Sequence, residues 1–220
     1  METTNAQVEA GQAVYTKSLL SFYDLIVVNI SNSYIWKCSS SLIEAHYNAC
    51  VSHNHLDVGV GTGYFLDRCR FPSDNPRVAL MDLNRNSLEY TARRLARYHP
   101  ETYQQNVLEE ISTPIRPFDS VGTNYLLHCL PGNITDKAVV FDFLKSLMNS
   151  GARVFGSTIL HSGVERSWLA KMLMALYNRK GIFSNTRDSL EGLRSALSQR
   201  FDKVTIEVVG CVALYSGIAR

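Results

Sequence analysis

Three glycines at alternate positions follow a short apolar run in the segment Leu56-Asp57-Val58-Gly59-Val60-Gly61-Thr62-Gly63. Glycine has no Cβ atom, so such a loop can adopt positive φ angles and bring its backbone close to a bound ligand. A helix that we predict from about Tyr64 would add unpaired N–H groups, which attract an anionic group. The pattern therefore indicates a binding site for a ligand with an anionic part.

An acidic residue, Asp82, ends the next apolar run, roughly 20 residues after Gly63. From that position a carboxylate can accept hydrogen bonds from both hydroxyls of a ribose. Dinucleotides and S-adenosylmethionine both need this pair of features. Dinucleotide sites favour the spacing G-x-G-x-x-G, whereas this chain has G-x-G-x-G preceded by Asp57. The spacing favours S-adenosylmethionine.

The glycine-rich segment resembles the first motif of class I S-adenosylmethionine-dependent methyltransferases that act on small molecules. The resemblance continues through Met81-Asp82, Asn106-Val107-Leu108 and residues 118–128, and it covers about residues 50–160. It implies a cofactor site formed by Asp57 near the methionine ammonium, Gly59 and Gly61 along the methionyl and ribose parts, Asp82 on the ribose hydroxyls, and Asn106 and Val107 beside the adenine. Val60, Gly63, Leu83 and Asn124 are expected at the same site, and the product would be S-adenosylhomocysteine.

Asn106 departs from the family, which often has an aspartate at this position to accept a hydrogen bond from the adenine amino group. An asparagine carbonyl can also accept that bond. Its amide is a donor, however, and must find another partner.

The strands and helices that must position these residues can be predicted from the apolar pattern. Short apolar runs alternate with longer stretches in which apolar residues recur with the 3.6-residue period of a helix. We predict strands at residues 55–60, 77–83, 103–108, 120–127, 152–160, 203–209 and 211–218. We predict helices at 85–98, 136–149, 164–178 and 189–199, the second with Thr135 as N-cap and Gly151 just past its end. Strands that alternate with helices predict an α/β fold, a doubly wound, Rossmann-like and mostly parallel seven-stranded sheet with helices on both faces.

An aromatic-rich N-terminal region precedes this pattern. We expect residues 1–48 to form a helical cap over the active site and residues 49–220 to form the methyltransferase domain, within one structural domain overall. Tyr15, Tyr23 and Trp36 are candidate substrate-binding residues by shape and cation–π contact, although aromatic side chains in a helical cap more often belong to the core.

Two side chains after the fourth strand are candidates for the acceptor site. His128 could take a proton from the methyl acceptor, or it could have only a packing or shaping role. Tyr125 could line the acceptor pocket through its hydroxyl, or it could be an ordinary hydrogen-bonded neighbour.

Composition limits which partners, cellular compartment and metals the protein can be expected to have. The 220 residues carry a net charge of only +2, without the clustered basic excess of a nucleic-acid-binding protein. The five cysteines are odd in number and form no CxxC pair, which favours a reducing compartment. No signal peptide or membrane span is predicted, so we expect a cytoplasmic protein. We expect it to be a monomer or a homodimer. His53 and His55 lack a third ligand, and no metal is expected.

These observations predict a methyltransferase that moves a methyl group to an oxygen, carbon or nitrogen nucleophile of a small metabolite, in a specialised biosynthetic pathway. Two alternatives stay open at this point. The chain could keep the fold and act as a cyclase or isomerase, or it could be a scaffold that only binds the cofactor.

Overall fold

The computed structural model describes residues 31–112 and 114–220. Seven strands form one sheet: β1 (Asn54–Val58), β2 (Arg77–Asp82), β3 (Glu101–Gln104), β4 (Phe118–Asn124), β5 (Met148–Ile159), β6 (Phe201–Val209) and β7 (Val212–Ala219). Their order is β3-β2-β1-β4-β5-β7-β6. Strand β7 is antiparallel to both of its neighbours, and the pairs among β1 to β5 are parallel. The predicted mostly parallel sheet is confirmed.

Seven α-helices cover the sheet within the described residues: α1 (Ser40–Cys50), α2 (Tyr64–Arg68), α3 (Arg85–Arg94), α4 (Ile134–Lys137), α5 (Val139–Lys145), α6 (Trp168–Arg179) and α7 (Leu190–Ser198). Two short 3₁₀ turns lie at Ala96–Tyr98 and Leu127–Cys129, and a π-helical turn spans residues 31–35.

Alternation along the strands divides the core between the two faces of the sheet, because successive side chains point to opposite faces. On β1, Leu56 and Val58 pack in the cluster that includes side chains of α4, α5 and α7. The cluster on the other face includes side chains of α1, α2, α3 and α6. Both faces are therefore covered by helices, and the doubly wound arrangement is confirmed.

The third strand lies earlier than predicted. Strand β3 ends at Gln104, and Asn106 then turns the chain by accepting the backbone N–H of Leu108 on its side-chain oxygen at 3.1 Å. Val107 and Leu108 still face the core from this turn. The strand predicted at 103–108 was therefore placed too late: it shares only Tyr103 and Gln104 with β3, because a local asparagine turn ends the pairing there.

The helix predicted at 136–149 is two short helices, α4 and α5, and it begins and ends earlier. The N-cap is Asn133 and not Thr135: its side chain accepts two backbone N–H groups and forms a capping box with Asp136. The chain enters β5 at Met148. Gly151, expected just past the helix, lies inside that strand at φ 79°. The pairing register with β4 shifts in this irregular part of the strand.

The last two strands form a tight antiparallel hairpin, and β6 lies at the edge of the sheet. Val209 pairs with Val212, so the turn consists of Gly210 and Cys211. Gly210 has a φ of 59°, and a Cβ atom there would lie 2.2 Å from the carbonyl oxygen of Trp36. This position therefore requires glycine both for its conformation and for close packing.

Helix α1 crosses the expected boundary at residue 48 and ends at Cys50. Its buried side chains, Ile43, Tyr47 and Cys50, join the core on one face of the sheet. The division into a cap and a main domain stays a prediction. In the described part of the chain, no helix has the length and apolar character needed to cross a membrane.

Candidate cofactor site

A crevice of about 740 Å³, including its open mouth, lies at the carboxyl edge of β1, β2 and β4. Its walls combine predicted residues with others: Gly59, Gly61, Asp82, Leu83, Asn84, Ser87, Gln105, Asn106, Val107, Tyr125, Leu126, Cys129, Leu130 and Pro131. The structure thus brings together most of the side chains that the resemblance assigned to a cofactor.

The glycine loop shapes the floor of the crevice. Gly61 has a φ of 51°, and a Cβ atom built there would meet no other atom within 4 Å, so a side chain would project into open space. At Gly63, the N-cap of α2, a Cβ atom would lie 2.5 Å from Thr91 Cγ2. Gly61 therefore keeps space for a ligand, whereas Gly63 lets α3 pack against the loop.

Helix α3 holds this loop through two side chains that the sequence did not indicate. The hydroxyl of Thr91 donates a hydrogen bond to the carbonyl of Gly61 at 3.0 Å. Arg94 donates to the carbonyl of Thr62 at 3.0 Å and also pairs with Asp67 of α2. The loop conformation is thus stabilised from outside, independently of any ligand.

Asp82 lies at the end of β2, beside the loop. Its Oδ1 accepts the backbone N–H of Asn84 at 2.8 Å, and its Oδ2 lies 3.5 Å from the N–H of Gly61. Burial raises the pKa of this carboxyl to about 6, although these backbone hydrogen bonds act in the opposite direction. Val60 contributes a further backbone hydrogen bond to this carboxylate. A carboxylate offers about four acceptor positions, so acceptor capacity remains for a ribose hydroxyl.

The side-chain amide of Asn106 has the hydrogen-bond partner that the sequence analysis required. The amide donates to Glu109 Oε1 at 2.8 Å, while the side-chain oxygen accepts the N–H of Leu108. That oxygen retains a second lone pair for an adenine amino group. Asn106 and Val107 form one side of the crevice, and Leu126, Cys129, Leu130 and Pro131 are also among its walls.

Four residues predicted for the cofactor do not line the crevice: Asp57, Val60, Gly63 and Asn124. Asp57 is buried, and it accepts a hydrogen bond from the hydroxyl of Tyr47. The side-chain oxygen of Asn124 accepts the hydroxyl of Ser157 at 3.1 Å. Its amide nitrogen is buried and has no hydrogen-bond partner within the described part of the chain.

Tyr125 lines the crevice in a backbone conformation that is rare for a side chain of its size, with a φ of 54°. Such a conformation costs about 1–3 kcal/mol and persists only where the surroundings impose it. Its N–H donates to the carbonyl of Ser157, and its hydroxyl donates to Asn32 Oδ1 at 2.9 Å. Tyr125 therefore connects the crevice with the chain that precedes α1.

His128 lies in the 3₁₀ turn after β4 and is 3% exposed. Its ring packs edge-on against Phe183, with ring centroids 4.5 Å apart. The backbone N–H of Ile159 donates to its Nδ1 at 3.3 Å, so the neutral ring carries its proton on Nε2. Burial lowers the pKa of His128 to about 3. This geometry favours the packing interpretation over that of a base.

Trp36 belongs to the core of the described structure. It is 2% exposed, its ring faces Phe183 at a centroid distance of 5.9 Å, and its carbonyl accepts the N–H of Cys211. Its surroundings favour packing over contact with a substrate. Tyr15 and Tyr23, the other aromatic candidates, lie outside the described residues.

Several crevice residues were missed by sequence reasoning, including Gln105, Leu126 and Cys129. A usable signal existed, since each of them follows a strand at the ligand edge. His53 is exposed before β1, whereas His55 is buried within the strand, so the two side chains lie in different surroundings. In the described ranges, no cluster of three His, Cys, Asp or Glu side chains could hold a metal ion.

The known proteins that are similar to this chain include methyltransferases. A family described as "Methyltransferase domain" matches residues 56–154. A demethylluteothin O-methyltransferase from Streptomyces thioluteus is 42% identical over 209 residues, covering 95% of this chain and 91% of that protein. A physcion biosynthesis cluster O-methyltransferase from Aspergillus chevalieri is 32% identical over 214 residues, covering 96% of this chain and 95% of that protein.

Among solved structures, the N-methyltransferase NodS from Bradyrhizobium japonicum WM9, in complex with S-adenosyl-L-homocysteine, superposes with a TM-score of 0.63. It is 13% identical, and the match covers 98% of this chain and 99% of NodS. At this identity the likeness concerns the fold.

Proposed function

Because the chain belongs to the class I S-adenosylmethionine-dependent methyltransferases, we propose that it methylates an acidic hydroxyl group, a phenol or an enol, of a small and partly apolar metabolite. The observation that carries this proposal is the agreement of two relatives that match over nine-tenths of their length. Both are described as O-methyltransferases, and their names refer to luteothin and physcion. The acceptor would accordingly belong to specialised metabolism.

The described residues fit the cofactor at the crevice. Asp82 offers acceptors for the ribose hydroxyls, Gly61 leaves the floor open, and Asn106 offers an acceptor for the adenine. When bound, S-adenosylmethionine supplies an electrophilic methyl group on a positively charged sulfur. In the proposed transfer, an oxygen lone pair of the acceptor forms the new C–O bond, and the electron pair of the broken C–S bond stays on sulfur.

The protonation states beside Tyr125 explain why the acceptor would be acidic. His128 is held neutral with its Nδ1 occupied, and burial raises the pKa of the Cys129 thiol to about 12, so that this group stays protonated. Neither group is suited to remove a proton at neutral pH. A phenol or enol can lose its proton to solvent before transfer, and the protein then mainly holds the oxygen in line with the methyl group.

The rate contribution of the protein would come mainly from this positioning, which can be worth roughly 7–11 kcal/mol of the barrier. A wall that combines Leu126, Leu130 and Pro131 with the ring of Tyr125 suits an apolar acceptor and excludes water beside it.

Transfer of a labelled methyl group tests the proposal. The protein is incubated with methyl-labelled S-adenosylmethionine and a panel of phenols and enols, with matched amines and carbon acids as competitors. We expect O-methyl products, with rates that fall as the pKa of the acceptor hydroxyl rises. Labelling only at nitrogen or carbon would overturn the oxygen assignment. Cofactor binding without transfer to any acceptor would favour the scaffold or isomerase alternative.

A further inference from the structure

A buried polar cluster lies behind the glycine loop, and the cofactor site described above does not account for it. We call it the Asp57 cluster; it consists of Tyr47 of α1, His55 and Asp57 of β1, and Gly122 of β4. The hydroxyl of Tyr47 donates to Asp57 Oδ1, and the two residues are 1% and 6% exposed. Burial raises the pKa of Tyr47 well above its ordinary value, and the charge of Asp57 adds to this effect, so the hydroxyl remains a donor.

The ring of Tyr47 is fixed by packing. Phe155 meets it edge-on at a centroid distance of 5.0 Å, and Phe65 stacks on it at 6.5 Å. Phe65 belongs to α2, the helix that begins directly after the glycine loop. The hydroxyl is therefore held at one place relative to both the loop and the sheet.

Gly122 gives this cluster the space it needs. A Cβ atom at Gly122 would lie 2.7 Å from Asp57 Oδ1 and 3.3 Å from the hydroxyl oxygen of Tyr47. The φ of Gly122 is not positive, so the position requires glycine for space and not for conformation. Strand β4 thus accommodates the Tyr47–Asp57 pair independently of the packing around the ring.

The cluster leaves the charge of Asp57 without a full cationic partner. No lysine or arginine among residues 31–112 and 114–220 pairs with it, and His55 Nε2 lies 3.8 Å from its Oδ1. The other ring nitrogen of His55 bonds to Ser120 Oγ at 2.9 Å. A buried carboxylate is costly unless a positive group meets it, and it keeps acceptor capacity for such a group.

We propose that Tyr47 is a positioning residue that holds the Asp57 carboxylate ready for the ammonium group of the cofactor. This inference rests on the proposed placement of the cofactor in the crevice, with its amino-acid tail on the glycine loop. Helix α1 would thereby contribute to recognition of that tail without contacting it. Asp57 lies two residues before Gly59, which lines the crevice, so the cluster lies close to the crevice.

Binding of two nucleoside thioethers by Tyr47→Phe tests this role. S-adenosylhomocysteine carries the amino-acid tail, and 5′-methylthioadenosine lacks it. We expect Tyr47→Phe to lower the affinity for S-adenosylhomocysteine by about tenfold and to leave the affinity for 5′-methylthioadenosine unchanged. The reason is that the lost hydrogen bond acts only on the carboxylate that faces the ammonium group. In turnover, the KM for the cofactor should rise while kcat at saturation stays near the wild-type value.

Tyr215→Phe is the matched control. Tyr215 is also fully buried, and its hydroxyl bonds to Thr123 Oγ1 at 2.7 Å. Both variants remove one buried hydroxyl, so their losses of thermal stability should be similar, but only Tyr47→Phe should change the affinity for S-adenosylhomocysteine. If Tyr47→Phe fails to fold, Gly122→Ala serves instead, since its methyl group would displace Asp57 Oδ1. It should show the same selectivity between the two ligands.

Coupling to Asp57 provides the final criterion. In an Asp57→Asn background, Tyr47→Phe should no longer affect the affinity for S-adenosylhomocysteine; a full additive loss would overturn the inference. An equal loss of affinity for both thioethers in Tyr47→Phe would also overturn the inference. If the wild type binds S-adenosylhomocysteine and Tyr47→Phe binds it equally well, the inference fails while the proposed function stands. If the wild type does not bind S-adenosylhomocysteine, the proposed function and the inference fail together.

Discussion

The carboxyl edge of the sheet has two regions with opposite character. Beside β1 and β2, the crevice is open, and its polar groups, including Asp82 and Asn106, keep hydrogen-bond capacity for a ligand. Other side chains near the end of β4 fill the space themselves: the ring of Phe183 packs against both His128 and Trp36, and all three side chains are almost entirely buried.

This difference separates an open region that can hold a ligand from a filled region that supplies packing. The glycine loop forms the floor of the crevice, Asp82 lies beside it, and α3 holds this loop through Thr91 and Arg94. The filled region provides shape and rigidity behind Tyr125. Cofactor binding should therefore depend on a few residues of the crevice, whereas substitutions in the filled region should mainly change stability.

The largest effect is expected from Trp36→Ala, which removes a large side chain from the filled region. The free energy of unfolding should fall by about 3–5 kcal/mol through lost burial and the cavity left behind. Denaturant unfolding measures this loss, and the affinity for S-adenosylhomocysteine of the folded fraction should stay unchanged. A stable variant with a raised KM for the acceptor would instead place Trp36 in the substrate site.

A smaller but more specific effect is expected from Asp82→Ala in the crevice. The affinity for S-adenosylhomocysteine should fall by about 1.5–3 kcal/mol, because the ribose hydroxyls lose a charged acceptor. Titration calorimetry measures the change. Asp119→Ala is the control, since Asp119 lies near the start of β4 and bonds to Asn54 and Asn149. Unchanged affinity in Asp82→Ala would refute the assigned site.

The raised pKa of Asp82, about 6, predicts a dependence on pH. Below that pH the carboxyl is protonated, so the affinity for S-adenosylhomocysteine should decrease by up to about tenfold per pH unit. Stability without ligand should change in the opposite direction. The contribution of Asp82 is fully present below about pH 4 and is lost as the pH rises through about 6, because the unfolded chain ionises first. Asp82→Asn should remove both dependences.

The smallest effect is expected from His128→Asn in the filled region. The asparagine oxygen can replace Nδ1 as the acceptor for the N–H of Ile159, so this variant should keep its turnover and its pH profile. His128→Ala leaves that N–H unpaired and should lose about 1–3 kcal/mol of stability. Initial rates measured across a range of pH distinguish the two roles. A strong loss of turnover in His128→Asn would support a catalytic base.

The sequence was most informative where function depends on local backbone. The alternation of glycines after β1 and the position of Asp82 at the end of β2 pointed to Gly59, Gly61 and Asp82, which the structure places at one crevice. Both signals follow from the position of a loop relative to its strand. Elements with competing local signals were predicted less well. The third strand was placed too late, because the turn at Asn106 outweighed the apolar residues after it.

By itself, then, the sequence determined the α/β architecture and the ligand edge, since periodicity and short-range spacing carry that information. Together with the family resemblance it pointed to half of the residues that line the crevice. The tertiary structure alone decided the surroundings of individual side chains. The bond from Tyr125 to Asn32 joins positions 93 residues apart, and the contact of Gly122 with Asp57 depends on two neighbouring strands. Burial and hydrogen-bond partners arise from such distant pairings, and no local pattern in the chain records them.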